Sequence, residues 1–170
     1  MALLGHFGFS WVGAAFLAGL FVPNLVWALA ARPADYDAST EPAVLRVLER
    51  VGQVLTVAAA LLLSDTNAGP WSPWSWWLVA ATALMAVYEA AWVRYFASRR
   101  TVRDFYRSFL GVPAPLATLP VAAFLLLGVY GRVLPLVGAV LVLGVGHIGI
   151  HLQHARELRA PATAEPRGTR

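Results

Sequence analysis

The feature that most constrains the fold of this chain is a series of apolar stretches, each about as long as a bilayer is thick. A transmembrane helix needs about 20 apolar residues to cross the hydrocarbon core. The region from Pro113 to Leu152 holds about 40 residues, too many for one crossing, and a Gly-Arg pair at 131–132 divides it into two spans. We therefore predict five spans, at residues 7–31, 44–63, 76–96, 113–130 and 133–152.

The scarcity of charge supports the same conclusion. Only 13% of the residues are charged and 59% are hydrophobic, whereas soluble domains carry about 25% charged residues. We predict an all-α integral membrane protein in which residues 1–155 form a single five-transmembrane-helix bundle. Residues 156–170, rich in Pro, Ala and Arg, are expected to form a flexible cytoplasmic tail.

The arginines predict the orientation of the bundle. Twelve of the thirteen lie in segments 32–50, 94–112 and 153–170, and only Arg132 lies in a connection on the opposite side. Because positive charge concentrates in cytoplasmic loops, the N-terminus should be outside and the C-terminus cytoplasmic. All the positive charge is arginine, which is typical of a GC-rich bacterial genome, so we expect a multi-pass protein of the bacterial inner (plasma) membrane. The same rule accounts for the net charge of +4, and we expect no nucleic-acid partner.

The connection between the third and fourth spans has a helical charge pattern. Arg99, Arg103 and Arg107 recur every four residues, and Phe105 and Tyr106 lie on the other side. This predicts an amphipathic helix at residues 99–110, lying on the cytoplasmic leaflet with its arginines near anionic lipid headgroups.

Polar side chains recur at one depth in most of the predicted spans. Counting about 1.5 Å per residue from the nearest cytoplasmic arginine places four of them about 8–15 Å inside the membrane. These four are Asn24, Gln53, Glu89 and His147, and the fourth span adds only Thr118. Intramembrane polar groups are costly and usually functional, so this layer is the predicted location of a site.

Glu89 and His147 are the predicted catalytic residues, as an acid/base pair, because both side chains can exchange a proton inside the layer. The alternative is structural. Glu89 would then pair with Arg50 or bond a neighbouring helix, His147 would bond another helix, and Glu49 would form a salt bridge at headgroup level. The predicted binding residues are Asn24, Glu49, Arg50, Gln53, Tyr88, Arg94 and His151.

The histidines also suggest a metal alternative. His147 and His151 are one helical turn apart, and with Glu89 or Glu49 they match the ligand types of a divalent metal. The HxxxH spacing without a fixed carboxylate motif is a weak signal. We therefore predict no cofactor, with a divalent metal at His147 and His151 as the alternative. The absence of cysteine excludes thiolate ligands.

Short segments spread along the chain carry a resemblance. Phe7-Gly-Phe-Ser-Trp11 and Gly144-Val-Gly-His-Ile-Gly-Ile-His151, with Tyr88-Glu89 and Asp104-Phe105-Tyr106, resemble a group of small bacterial multi-pass membrane proteins. That group has no assigned activity. The resemblance therefore implies a bacterial membrane protein and contributes no catalytic residues.

Three functions fit these patterns. The first is an enzyme or binder for a lipid-like or isoprenoid molecule, with a polar site inside the membrane that opens towards the cytoplasm. The second is a proton-coupled small transporter or an oligomeric pore. The third is a structural accessory subunit of a membrane complex. The expected partners are the bilayer and a hydrophobic small molecule, with a homo-oligomer as a further alternative.

Overall fold

The computed structural model describes residues 3–34, 36 and 41–158, and they form a helical bundle. Six α-helices follow one another in the chain: α1 (Trp11–Val26), α2 (Ala43–Leu62), α3 (Trp76–Phe96), α4 (Val102–Phe105), α5 (Pro115–Gly131) and α6 (Leu134–Glu157). A π-helical turn, Trp27–Ala31, prolongs α1, and short 3-10 turns lie at Ser64–Thr66 and Pro73–Ser75. In the described part of the chain, β-structure is limited to two isolated bridges.

Three helices are long and apolar enough to cross a membrane. They are Trp11–Ala31, Pro73–Phe96 and Leu134–Glu157, while α5 is apolar but shorter. Many apolar side chains point outward from the bundle, among them Leu25, Val54 and Val145. An outer surface of this kind suits lipid better than water. The all-helical bundle is therefore confirmed, whereas the count of five spans and their orientation stay predictions.

The helix α1 begins at Trp11, four residues after the start of the predicted span. Polar groups determine where it begins. Ser10 caps the helix by accepting a hydrogen bond from the backbone N–H of Gly13 at 2.8 Å. Asn67 Oδ1 accepts a second one from the backbone N–H of Trp11 at 2.7 Å. These oxygens satisfy N–H groups that have no partner within the helix. The connection after α2 thus holds the beginning of α1.

The most extensive contact between helices is that of α2 on α6, and glycines make it possible. A Cβ at Gly146 would collide with the backbone of Leu45 and Glu49, and one at Gly52 would collide with the backbone of Leu143. Small residues allow this approach between helices in a membrane. The other extensive contacts join α3 to α5 and α5 to α6, while α1 packs more sparsely against α2 and α3.

The structure corrects the prediction of an interfacial helix at residues 99–110. The helix there is only four residues long, Val102–Phe105, and its first turn is capped by a reciprocal pair of hydrogen bonds between Thr101 and Asp104. Phe105 and Tyr106 are buried, with 6% and 4% of their surface exposed. Their aromatic rings pack against other aromatic rings of the protein, so the apolar side of the pattern faces the bundle instead of lipid.

The predicted flexible tail, residues 156–170, lies almost entirely outside the described residues. The fifth predicted span, 133–152, is part of a helix that continues to Glu157.

The packing of α2 on α6 predicts opposite effects for two glycine substitutions in α6. Gly146→Ala should lower the free energy of unfolding by about 1–3 kcal/mol, because the methyl group overpacks a backbone contact. Gly138→Ala is the matched control, because a Cβ there meets no atom within 4 Å and alanine favours helix over glycine. Thermal unfolding in detergent, followed by circular dichroism, measures both. Equal stability of the two variants would contradict the packing argument.

Candidate functional site

His147 and Glu49 meet beside one of the close contacts between α6 and α2. Nδ1 of His147 lies 2.5 Å from Oε1 of Glu49. About a quarter of each side chain is exposed, 27% for His147 and 26% for Glu49. Gly146 stands next to His147 and lies against the backbone at Glu49. The glycine that allows the helices to touch therefore also brings the carboxylate within reach of the imidazole.

This pair forms part of the wall of a cleft of about 150 Å³ between α1, α2, α5 and α6. Four polar side chains line it: Asn24, Glu49, Gln53 and His147. The rest of the wall is apolar and includes Phe21, Pro120 and Phe124. The structure thus brings three residues of the predicted polar layer together and adds Glu49 to them.

The mouth of the cleft lies between α1 and α2. Phe21 of α1 and Gln53 of α2 line the cleft and are both exposed on the outside of the bundle. The lining residues of α5 and α6 are more enclosed. Leu116 is 7% exposed, Phe124 is 1% exposed and Leu143 is 9% exposed. A molecule entering here would therefore pass sideways between two outward-facing helices.

Asn24 links the cleft to Tyr88 of α3. Its side-chain amide donates hydrogen bonds to the hydroxyl of Tyr88 and to the carbonyl of Leu20, each at 2.7 Å. Tyr88 itself is fully buried. Because both amide hydrogens are engaged, the Asn24 carbonyl oxygen is the atom left to accept a hydrogen bond. Tyr88 supports the cleft from behind and does not line it.

Glu89 lies away from the cleft, at the contact between α1 and α3. A Cβ at Gly19 would be 3.2 Å from its Oε1 atom, and this buried oxygen has no hydrogen-bond partner among the described residues. The predicted alternative, an ion pair with Arg50, does not form in the described part of the protein. His147 has Glu49 as its carboxylate partner in the structure. A chemical role for Glu89 stays a prediction.

The two arginines predicted to bind at the site point elsewhere. Arg94 donates hydrogen bonds to the carbonyl groups of Arg107 and Ser108, at 2.7 and 2.8 Å. It thereby holds the connection after α3 against that helix. Arg50 is exposed on α2 and is not part of the cleft wall. Thr118, the polar residue expected in the fourth span, donates to the carbonyl of Pro113 at 2.9 Å.

His151, a predicted binding residue, contacts His147 but lies outside the cleft wall, closer to the end of α6. The two ring centroids are 4.5 Å apart, and Phe105 and Tyr106 cover His151 with ring centroids at 5.9 and 5.6 Å. No group of three or more metal-ligating side chains could hold a metal ion in the part of the chain that the structure describes.

An aromatic cluster around His154 was not anticipated from the sequence. The rings of Tyr36 and Tyr106 both stack on this imidazole, at centroid distances of 6.0 and 5.9 Å. Burial raises the pKa of both tyrosines, and the negative charge of Glu41 raises it further. The hydroxyl groups therefore stay protonated at any ordinary pH. The spacing of His147, His151 and His154 along one helix face is the sequence pattern that could have indicated this cluster.

Comparison of the chain with protein-family models, with curated proteins and with solved structures gives no match. The resemblance described above stays a prediction, and the functional argument rests on the geometry of the cleft.

The turn at α4 predicts a pH dependence, because it presents Phe105 and Tyr106 to the histidines. Hydrogen bonds from the hydroxyl and backbone N–H of Thr101 hold the pKa of Asp104 below its usual 3.8. A carboxylate with a lowered pKa in the folded state stabilises the fold above the unfolded value, and this contribution is lost as the pH falls through the folded value. We expect the near-ultraviolet circular dichroism of the aromatic cluster to change below about pH 4.

Asp104→Asn should give an altered aromatic signal already at neutral pH and should remove this part of the acid transition. Asp65→Asn is the matched control, because Asp65 pairs with His6 at the opposite end of the bundle and its pKa is also lowered. An equal effect of the two variants on the aromatic signal would show that the Asp104 cap does not position the cluster.

Proposed function

We propose that this protein binds the polar end of a lipid-like or isoprenoid molecule in the cleft, and that Glu49 and His147 exchange a proton with it. The observation that carries the proposal is the 2.5 Å contact between these side chains in the wall of a mostly apolar cleft. An apolar cavity with a few convergent polar groups is the usual form of a small-molecule site. Glu49 and His147 replace Glu89 and His147 as the proposed acid/base pair.

The size of the cleft supports a ligand that is only partly enclosed. Complete sites for drug-sized molecules occupy about 300–1,000 Å³, and this cleft occupies about 150 Å³. A hydroxyl or other small polar group with a few attached carbons fits that space. Since the mouth opens between α1 and α2, the remaining hydrocarbon chain would extend into the bilayer.

The chemistry follows from how the imidazole is held. A carboxylate that accepts a hydrogen bond from Nδ1 fixes the ring orientation and leaves Nε2 as the basic atom. Gln53 and the free carbonyl oxygen of Asn24 add a hydrogen-bond donor and acceptors to the same wall. The site is therefore suited to proton transfer to or from a bound polar group, with these two amides orienting that group.

We propose that this bundle lies in a bacterial inner membrane with five spans and a cytoplasmic C-terminus. The arginine distribution supports that orientation, and so does the cluster of arginines around the connection between α3 and α5. In this orientation the cleft lies in the cytoplasmic half of the membrane.

Transport through the bundle is the less supported alternative. Phe124, in the wall of the cleft, packs edge to face on Phe16 with ring centroids 5.8 Å apart. Both are buried, with 6% and 1% of their surface exposed. A cleft whose wall is backed by two packed, buried aromatic rings suits a binding site better than a path across the membrane.

Photolabelling tests the proposal. The probe is a farnesol that carries a diazirine, added to the protein in nanodiscs of phosphatidylethanolamine and phosphatidylglycerol. We expect labelled peptides from α1, α2 and α6, and competition by unlabelled farnesol. Glu49→Gln should lower the labelling by about tenfold, because a charge-assisted hydrogen bond contributes about 1.5–3 kcal/mol.

Glu89→Gln is the matched control, because it removes a carboxylate of similar depth from outside the cleft wall. Labelling that is spread evenly over the lipid-facing helices, or that falls equally in both variants, would contradict the proposed site.

A further inference from the structure

Three histidines follow one face of α6 from the cleft towards its C-terminal end. His147, His151 and His154 have the i, i+4, i+7 spacing that places side chains in one row. Seven residues of α-helix cover about 10 Å. His147 lies in the cleft wall, and His154 lies in the last turns of the helix. The row therefore connects the candidate site to the end of the bundle where most of the arginines lie.

His151 contacts or closely approaches both neighbours in the row. Its ring is edge to face with that of His147 at a centroid distance of 4.5 Å. Towards His154 the next group is the ring of Tyr106, whose centroid lies 5.6 Å from that of His151 and 5.9 Å from that of His154. Phe105 and Tyr106 cover it from the α4 turn. An imidazole covered in this way has the other imidazoles of the row among the nearest groups able to exchange a proton.

Each end of the row has a carboxylate. Glu49 of α2 holds His147 at the cleft. At the other end Nε2 of His154 lies 3.6 Å from Oε1 of Glu41, the residue that precedes Pro42 at the start of α2. Tyr36, which stacks on His154, carries the guanidinium of Arg32 over its ring at 5.0 Å. The end of the row at His154 is thus close to charged groups of the connection between α1 and α2.

We propose that these histidines form a proton relay between the cleft and the cytoplasmic surface. Intramembrane rows of carboxylates and histidines serve this purpose in pumps and transporters. His147, whose Nδ1 is held by Glu49, receives and passes on the proton at Nε2. His151 takes a proton on one ring nitrogen and releases another from the second nitrogen, which leaves the ring in its other tautomer until it flips. The relay rests on the proposed function, since it returns the proton that Glu49 and His147 exchange with the bound molecule.

The experiment uses the full chain in nanodiscs, labelled with ¹⁵N-histidine. The protein has only four histidines, and His6 lies at the opposite end of the bundle. Nuclear magnetic resonance measures the rate at which each ring N–H exchanges with solvent. We expect His151→Phe, which keeps an aromatic ring in place, to slow exchange at His147 by at least about tenfold. Exchange at His154 and at His6 should not change.

His154→Phe is the second variant and separates a relay from a local packing change. It lies seven positions from His147, so slower exchange at His147 in this variant requires transfer along the row. His151→Gln serves as the replacement where the phenylalanine variant alters the backbone amide spectrum, because a glutamine amide fits a polar contact and does not relay protons. Unchanged exchange at His147 in these variants would show that cleft water reaches it directly and would overturn the relay.

The diazirine farnesol distinguishes the two proposals. His151 does not line the cleft, so His151→Phe should keep the labelling seen in the wild-type protein. Absent labelling in the wild type, with slowed exchange in the variants, would leave the relay standing and overturn the ligand. Labelling with unchanged exchange would do the reverse.

Discussion

The close approach of α2 and α6 is the contact on which the rest of the site depends. It requires glycine at two points of the interface, Gly52 in α2 and Gly146 in α6, where a single methyl group would meet backbone atoms of the other helix. The short distance between the two helices allows the carboxylate of Glu49 to reach Nδ1 of His147. A wider interface would leave a carboxylate and an imidazole without partners in an apolar bundle, and each would then carry the full cost of its burial.

Several elements could be predicted from the sequence because they depend on length and composition. The helix Trp76–Phe96 has the predicted bounds, and α2 and α5 differ from theirs by one or two residues. A run of about 20 apolar residues leaves the backbone no other way to satisfy its hydrogen bonds in lipid. The ends that depend on tertiary contacts were less predictable. The start of α1 is held by Asn67, which is distant in sequence, and no local pattern records that contact.

The sequence predicts how deep in the membrane each polar side chain of the candidate site lies, but not towards which neighbouring helix it points. Counting residues along each span placed Asn24, Gln53 and His147 in one layer, and all three line the cleft. The same count included Glu89, which the rotation of α3 turns towards Gly19 of α1. Depth is a property of one helix, whereas direction depends on which helices are neighbours. For the same reason the periodicity at 99–110 could distinguish an apolar side but could not show that this side meets His151 and His154.

The pairing of Glu49 with His147 also explains how proton exchange could be tolerated inside a bilayer. The Glu49 carboxylate beside a neutral imidazole has a net charge of −1, and the same carboxylate beside a protonated imidazole has no net charge, so the protonated imidazole does not carry the penalty of an isolated ion. Accepting a proton from a ligand at Nε2 gives an imidazolium beside the carboxylate, and His147 cannot accept another proton as long as that state lasts. A row of imidazoles in contact with His147 shortens its lifetime by passing the charge towards the carboxylate of Glu41 and the surface. The proposed binding site and the proposed relay therefore belong together: the first needs a proton acceptor that can be discharged, and the second begins at that acceptor.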